Sequence, residues 1–108
     1  MPPQANRLSR SEFNQVFKVG RRIHLPTTTL ITTTAPTIKI SVVVGKKVAK
    51  LAHERNRLKR QAYHHLFPLL KSRQVAVIVI LKPSLKSLSQ SALKQVWGEV
   101  GGRIINSQ

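Results

Sequence analysis

Between Lys46 and Arg60 the chain carries seven basic side chains in fifteen positions: Lys46, Lys47, Lys50, Arg55, Arg57, Lys59 and Arg60. Their natural chemistry is the binding of phosphate. Arg presents a planar fork that matches two phosphate oxygens, and Lys presents a compact point charge. Asn56, between Arg55 and Arg57, can hydrogen-bond a phosphate, a ribose 2′-hydroxyl or backbone. A helix that is merely solvated interleaves acids four positions away, and here the one acid is Glu54. The cations also fall early in their predicted helix, where they oppose its dipole. Charge of one sign repels itself unless an extended anion lies over it, and nucleic acid is the first candidate.

The rest of the composition agrees. The 108 residues include 19 Lys or Arg against three acids, Glu12, Glu54 and Glu99, for a net charge of +16. With 41% hydrophobic residues the chain can fill one small core, so residues 1–108 read as a single domain. Residues 1–9 read as a flexible basic arm carrying Arg7, and residues 105–108 as a loose tail. Cysteine is absent, which excludes disulfides, thiolate metal sites and thiol nucleophiles and fits a cytoplasmic protein. The start of the chain has no apolar signal core, and the longest apolar run, Val75 to Leu81, is too short to span a bilayer. No membrane partner is expected.

The inventory argues against nucleic-acid cleavage by the protein alone. Metal-dependent phosphodiester hydrolysis needs clustered carboxylates, and the chain has no Asp and three scattered Glu. Imidazole catalysis needs two His around one phosphate. On one helix, His53 and His64 stand about 16 Å apart, and His64 and His65 point in different directions. His53-Glu54 lacks the second His of a His-Glu-x-x-His pair. No catalytic residue and no protein metal ligand is expected.

The elements that must position these residues can be read from periodicity. Ser9 or Ser11 caps a first helix with Glu12 in its first turn, Phe13, Val16 and Phe17 on one face, and Gly20 as its C′ residue. Thr27 to Thr34 is β-branched and reads as a strand. Ile38 to Val44 alternates as a second strand, with Ala35 to Thr37 as the turn of an antiparallel hairpin. From about Ala49 a helix places Leu51, Leu58, Ala62, Leu66 and Leu69 on one side and the cations on the other. Pro68 ends it at Phe67 or kinks it there. Val75 to Leu81 is apolar on both faces, as in a central strand. Ser87 or Ser89 caps a last helix with Leu93, Val96, Trp97, Val100 and Ile104 in one stripe. The class is α+β, a two-layer sandwich.

Phe13 and Phe17 have two readings. Two Phe at this spacing usually bury in a core, and composition alone favours that. Exposed among Arg7, Arg10 and Lys18, they would instead stack single-stranded bases. Trp97, without flanking cations, reads as core.

The basic segment, together with Asn6-Arg7-Leu8 and the register of Ser11-Glu12-Phe13, Val16-Phe17-Lys18 and Gly20, resembles the bacterial ribonuclease P protein component. The resemblance implies the order α-β-β-(β)-α-β-α, a four-stranded sheet and a left-handed β-α-β crossover. It implies the protein subunit of a ribonucleoprotein endoribonuclease that removes the 5′ leader from precursor tRNA. The RNA subunit would carry catalysis and hold most of the Mg²⁺. Lys46, Lys47, Lys50, Arg55, Asn56, Arg57, Lys59, Arg60 and Arg7 would bind that RNA. Phe13 and Phe17 would line a cleft, between the first helix and the sheet, for the single-stranded leader. The partners implied are the catalytic RNA and precursor tRNA, with no DNA. The chain departs from the family pattern at Thr29-Leu30-Ile31, where an aromatic is common, at Pro68, and in its short C-terminus. A ribosomal or assembly protein, binding RNA without cleavage, shares the charge and remains the alternative.

Overall fold

A computed structural model describes residues 4–107. Arg10–Val19 forms helix α1, followed by strands β1 (Arg21–His24), β2 (Thr28–Thr34) and β3 (Lys39–Val43). Helix α2 (Ala52–Leu70), strand β4 (Val75–Leu81), a 3₁₀ stretch at Pro83–Ser87 and helix α3 (Gln90–Asn106) complete the chain. The order α-β-β-β-α-β-α matches expectation.

The strands form one sheet in the order β1-β2-β4-β3. The expected hairpin is not formed: β2 pairs antiparallel with β1 and β4, while β3 pairs parallel with β4. The reason lies in β4. Its both-faced apolarity suits the interior of a sheet, so it inserts between the two strands that the Ala35–Thr37 turn joins. Ala35 N–H bonds the carbonyl of Gln74, just before β4, instead of closing a hairpin. Strand β1, with one apolar residue in four, gave no periodic signal and was missed.

One face of the sheet carries α2 and α3. Leu30, Ile40, Val42, Val77 and Val79 pack there against Ala62, Leu66, Leu70, Val96, Trp97 and Ile104. Trp97 is buried in this core, as expected. Of the α2 stripe, Ala62 and Leu66 are buried and Leu58 packs against the core, but Leu51 and Leu69 are half-exposed, and Tyr63 and Leu70 take their places. Pro68 neither stops the helix nor ends it at Phe67. The helix runs on to Leu70 because Leu66 and Leu70 anchor its last turn in the core. Helix α3 starts at Ser89, whose side chain accepts the Ala92 N–H.

Among the described residues the opposite face carries one helix, α1, over Ile31, Ala76 and Ile78. Ser9 is its cap, in a reciprocal capping box with Glu12. Gly20 ends the helix in an extended conformation, not the left-handed one of a C′ glycine. Its small size is what matters: an added Cβ would lie 2.6 Å from Ile31 Cγ2.

Both ends are better anchored than the sequence suggested. Residues 1–3 and 108 lie outside the described residues. Gln4–Asn6 form a 3₁₀ turn, Asn6 Nδ2 donates to the Ile38 carbonyl at 2.9 Å, and Arg7 bridges Ile40. The supposed arm thus covers the free edge of β3, whose backbone groups β4 leaves unpaired. The supposed tail is the last turn of α3. Ile105 packs against the core and Ser107 Oγ donates to the Ile104 carbonyl at 2.8 Å.

Candidate RNA interface

The basic segment is a turn followed by the first half of a helix. Val44 and Gly45 lead out of β3. The N–H groups of Val48 and Ala49 then bond back to the Gly45 carbonyl, and both side chains are buried. This anchored turn presents Lys46 and Lys47 to solvent, with Lys50 just beyond. Helix α2 begins at Ala52 rather than near Ala49, so Lys50 precedes the helix, as Lys46 and Lys47 do.

Arg55 is partly spent inside the fold. Its Nη1 donates to the carbonyls of Ala49 and Lys50 at 3.0 and 2.8 Å, stapling the lysine turn to α2. Asn56, Arg57 and Arg60 are exposed and Lys59 is half-buried. Glu54 makes no ion pair among the described residues. Arg7 joins this surface from the β3 edge, close enough for its charge to favour the ionised form of Tyr63 on α2. The larger effect there is burial, which pushes the Tyr63 phenol above 10.0.

On the α1 face, β-pairing aligns residues into cross-strand rows. Arg22, Ile31, Ile78 and Ser41 form one row; His24, Thr29, Ile80 and Val43 form the next. Helix α1 lies over Ile31, Ile78 and Ala76 and divides the face. Val16 points down and is buried. At about 100° per residue, Phe13 and Phe17 then lie on one flank and Ser11 and Gln15 on the other. The Ser11 flank opens on a groove of about 620 Å³ walled by Gln15, Thr33, Ala76 and Lys39. The phenylalanine flank therefore faces the row from His24 to Val43, of which Thr29, Ile80 and Val43 are half-buried and His24 exposed.

Phe13 packs against the small core under α1, while Phe17 is 44% exposed. Their rings stack, with centroids 6.2 Å apart and planes 16° from parallel. The Arg22 guanidinium sits 4.7 Å from the Phe17 centroid, and its Nη2 donates to the Phe17 carbonyl at 3.1 Å. Sequence reasoning missed Arg22 and His24. The signal lay in the register that turns both toward α1, which no local pattern encodes.

Glu12 fixes α1 to the sheet. It pairs with Lys39 of β3 and accepts the Ser9 N–H, and these contacts lower its carboxyl to about 2. With Glu12 so engaged and no group of three His, Cys, Asp or Glu together among the described residues, the donor set does not fit a protein-held Mg²⁺. No helix among the described residues is long and apolar enough to cross a membrane.

The fold is shared with known proteins. The ribonuclease P protein component of Ectopseudomonas mendocina (strain ymp) is 35% identical over 72 residues, 65% of this chain. The match spans 53% of that relative's length. The ribonuclease P protein of Staphylococcus aureus superposes with a TM-score of 0.73 at 22% identity, covering 85% of this chain and 88% of the other. That of Thermotoga maritima gives 0.73 at 17%, covering 91% and 96%. The ribonuclease P family model matches residues 1–104, and the chain belongs to that family.

Proposed function

We propose that this chain is the protein subunit of ribonuclease P, a ribonucleoprotein endoribonuclease that removes the 5′ leader of precursor tRNA in the cytoplasm. The RNA subunit performs the hydrolysis and holds the Mg²⁺. The protein's part is to dock on that RNA and grip the leader. One observation carries the reading: an aromatic-edged, half-exposed sheet floor ends at Val43, and within three residues the chain enters the run of cations from Lys46 to Arg60, five of the seven exposed. Stacking planes and fixed charges adjoin, as a single strand leaving a folded RNA requires.

The residues divide the work. Lys46, Lys47, Lys50, Arg57, Lys59, Arg60 and Arg7 neutralise phosphates of the catalytic RNA, and Asn56 hydrogen-bonds beside them. Arg55 presents its remaining donors while holding the turn in shape. Phe17, flanked by Phe13 and carrying the Arg22 guanidinium on its ring, offers with that guanidinium a planar platform to an unstacked leader base, worth roughly 1–3 kcal/mol. Mature tRNA lacks the leader and gains none of this, so precursor is favoured over product.

The test is cleavage of a leader-bearing precursor tRNA at low Mg²⁺ by a bacterial ribonuclease P RNA, with and without this protein, and by the protein alone. Cleavage at the mature 5′ end only with both present is expected. Tight RNA binding without stimulation would instead make the chain an RNA-binding protein of the ribosomal or assembly kind. Cleavage by RNA-free protein would contradict the assignment of chemistry to the RNA.

A further inference from the structure

We infer that the leader cleft does not end at the phenylalanines but crosses the sheet to the outer edge of β1, where Arg22 and His24 hold leader nucleotides distant from the cleavage site. The inference rests on the reading just given and adds to it a second, distal contact region.

The row of His24, Thr29, Ile80 and Val43 is the floor. It spans all four strands, one residue from each. At about 4.8 Å between strands, His24 stands about 14 Å from Val43. The Val43 end runs into the basic segment that docks on catalytic RNA. The His24 end is therefore the far end, reached only by a strand that has crossed the whole floor.

Both distal residues are built for an unstacked strand. Arg22 is held in place by Phe17, through the ring below it and the carbonyl beside it. A guanidinium already fixed loses little freedom when it takes a phosphate. His24 lies two residues further along the same face of β1, about 7 Å away, exposed, with Nδ1 3.4 Å from Thr29 Oγ1. β2 and β4 contribute no aromatic side chain, so its imidazole is the π-face at that end of the floor. Phe13, Phe17, the Arg22 guanidinium and the His24 ring thus form a run of planar groups from α1 to the sheet edge. Single-stranded RNA is the occupant that this run suits, because its bases can be splayed onto planar side chains while its phosphates meet cations.

The experiment uses the reconstituted holoenzyme and precursor tRNAs whose leaders are shortened one nucleotide at a time, with mature tRNA as reference. For His24→Ala, affinity for the longest leaders is expected to fall about fivefold. Short-leader precursors and mature tRNA should be unaffected, and His24→Phe should restore the loss. Arg22→Gln should lower the salt dependence of long-leader binding by ~0.7 and leave that of short leaders alone. Loss that is equal at every leader length, no loss at any length, or failure of His24→Phe to rescue would each overturn the inference. The parent reading fails separately. If Phe17→Ala weakens precursor binding while His24→Ala does not, only the distal region is wrong. If the wild-type protein gives no leader discrimination, both fall.

Discussion

The hydroxyl of Tyr63, on α2, accepts the backbone N–H of Val42, in β3, at 3.2 Å. Because β3 is an edge strand, this N–H has no sheet partner on its outer side, and the tyrosine supplies one from the basic helix. The bond ties the basic helix to the strand whose next residue, Val43, ends the half-buried row beside α1. Tyr63→Phe keeps the packing and strands a buried donor, so a loss of ~1–3 kcal/mol in unfolding free energy is expected, with the denaturant slope unchanged. Burial also raises the Tyr63 pKa above 10.0. The native state then keeps its proton where the unfolded chain releases it. The contribution is complete below pH 10 and fades as pH rises further. Denaturation curves above pH 10 should fall less steeply for Tyr63→Phe than for the native chain.

Glu12 controls the acid side in the opposite sense. Its carboxyl is lowered from 4.5 to about 2, first by Lys39 and then by Ser9. Its stabilisation is therefore complete above pH 4.5 and lost as pH falls toward 2. Glu12→Gln should lower the melting temperature at neutral pH, and the gap to the native chain should close across that window. A constant gap would mean the carboxylate's charge is not what anchors α1.

Arg55 and Arg57 are neighbours in one motif with different duties. Arg55→Ala frees the Ala49 and Lys50 carbonyls and loosens the lysine turn, and should cost ~1–2 kcal/mol of stability as well as RNA affinity. Arg57→Ala should leave the melting temperature alone and reduce the salt slope of RNA binding by about one unit. Thermal melts and salt titrations on the same two variants check both statements.

What the sequence disclosed follows from what is local. The cations from Lys46 to Arg60 declare themselves because charge of one sign needs a counter-ion in any fold. A capped first helix with Glu12 in its first turn, and the stripe through Trp97, follow from spacing along one helix, whereas the choice of Ser9 over Ser11 as the cap comes from the structure. Strand partners do not, because Thr28–Thr34 and Lys39–Val43 are both compatible with a hairpin until Val75–Leu81 competes for the centre of the sheet. The stop that Pro68 allows at Phe67 was overridden by the burial of Leu66 and Leu70. Arg22 and His24 acquire meaning only through cross-strand register, which depends on residues far along the chain.

Gly20 and Gly101 give the sharpest test of how closely the elements that frame the site are packed. A Cβ on Gly20 would meet Ile31 Cγ2 and the Val16 carbonyl oxygen at 2.6 Å each and the Thr32 carbonyl oxygen at 3.2 Å. Two of those neighbours are backbone and the third belongs to a fully buried side chain. None can give way without moving α1 relative to β2. Gly20→Ala should therefore cost ~1–3 kcal/mol. It should also weaken precursor binding without touching RNA, because it displaces the Phe17 ring and the Arg22 that lies over it. A Cβ on Gly101 would meet only the end of Leu69 closely, at 2.9 Å from Cδ1. Leu69 is half-exposed and can rotate away, while alanine favours the helix by up to ~1 kcal/mol. Gly101→Ala should be neutral or stabilising and leave leader affinity intact. Equal melting temperatures for the two variants would contradict the tight seating of α1 on the sheet.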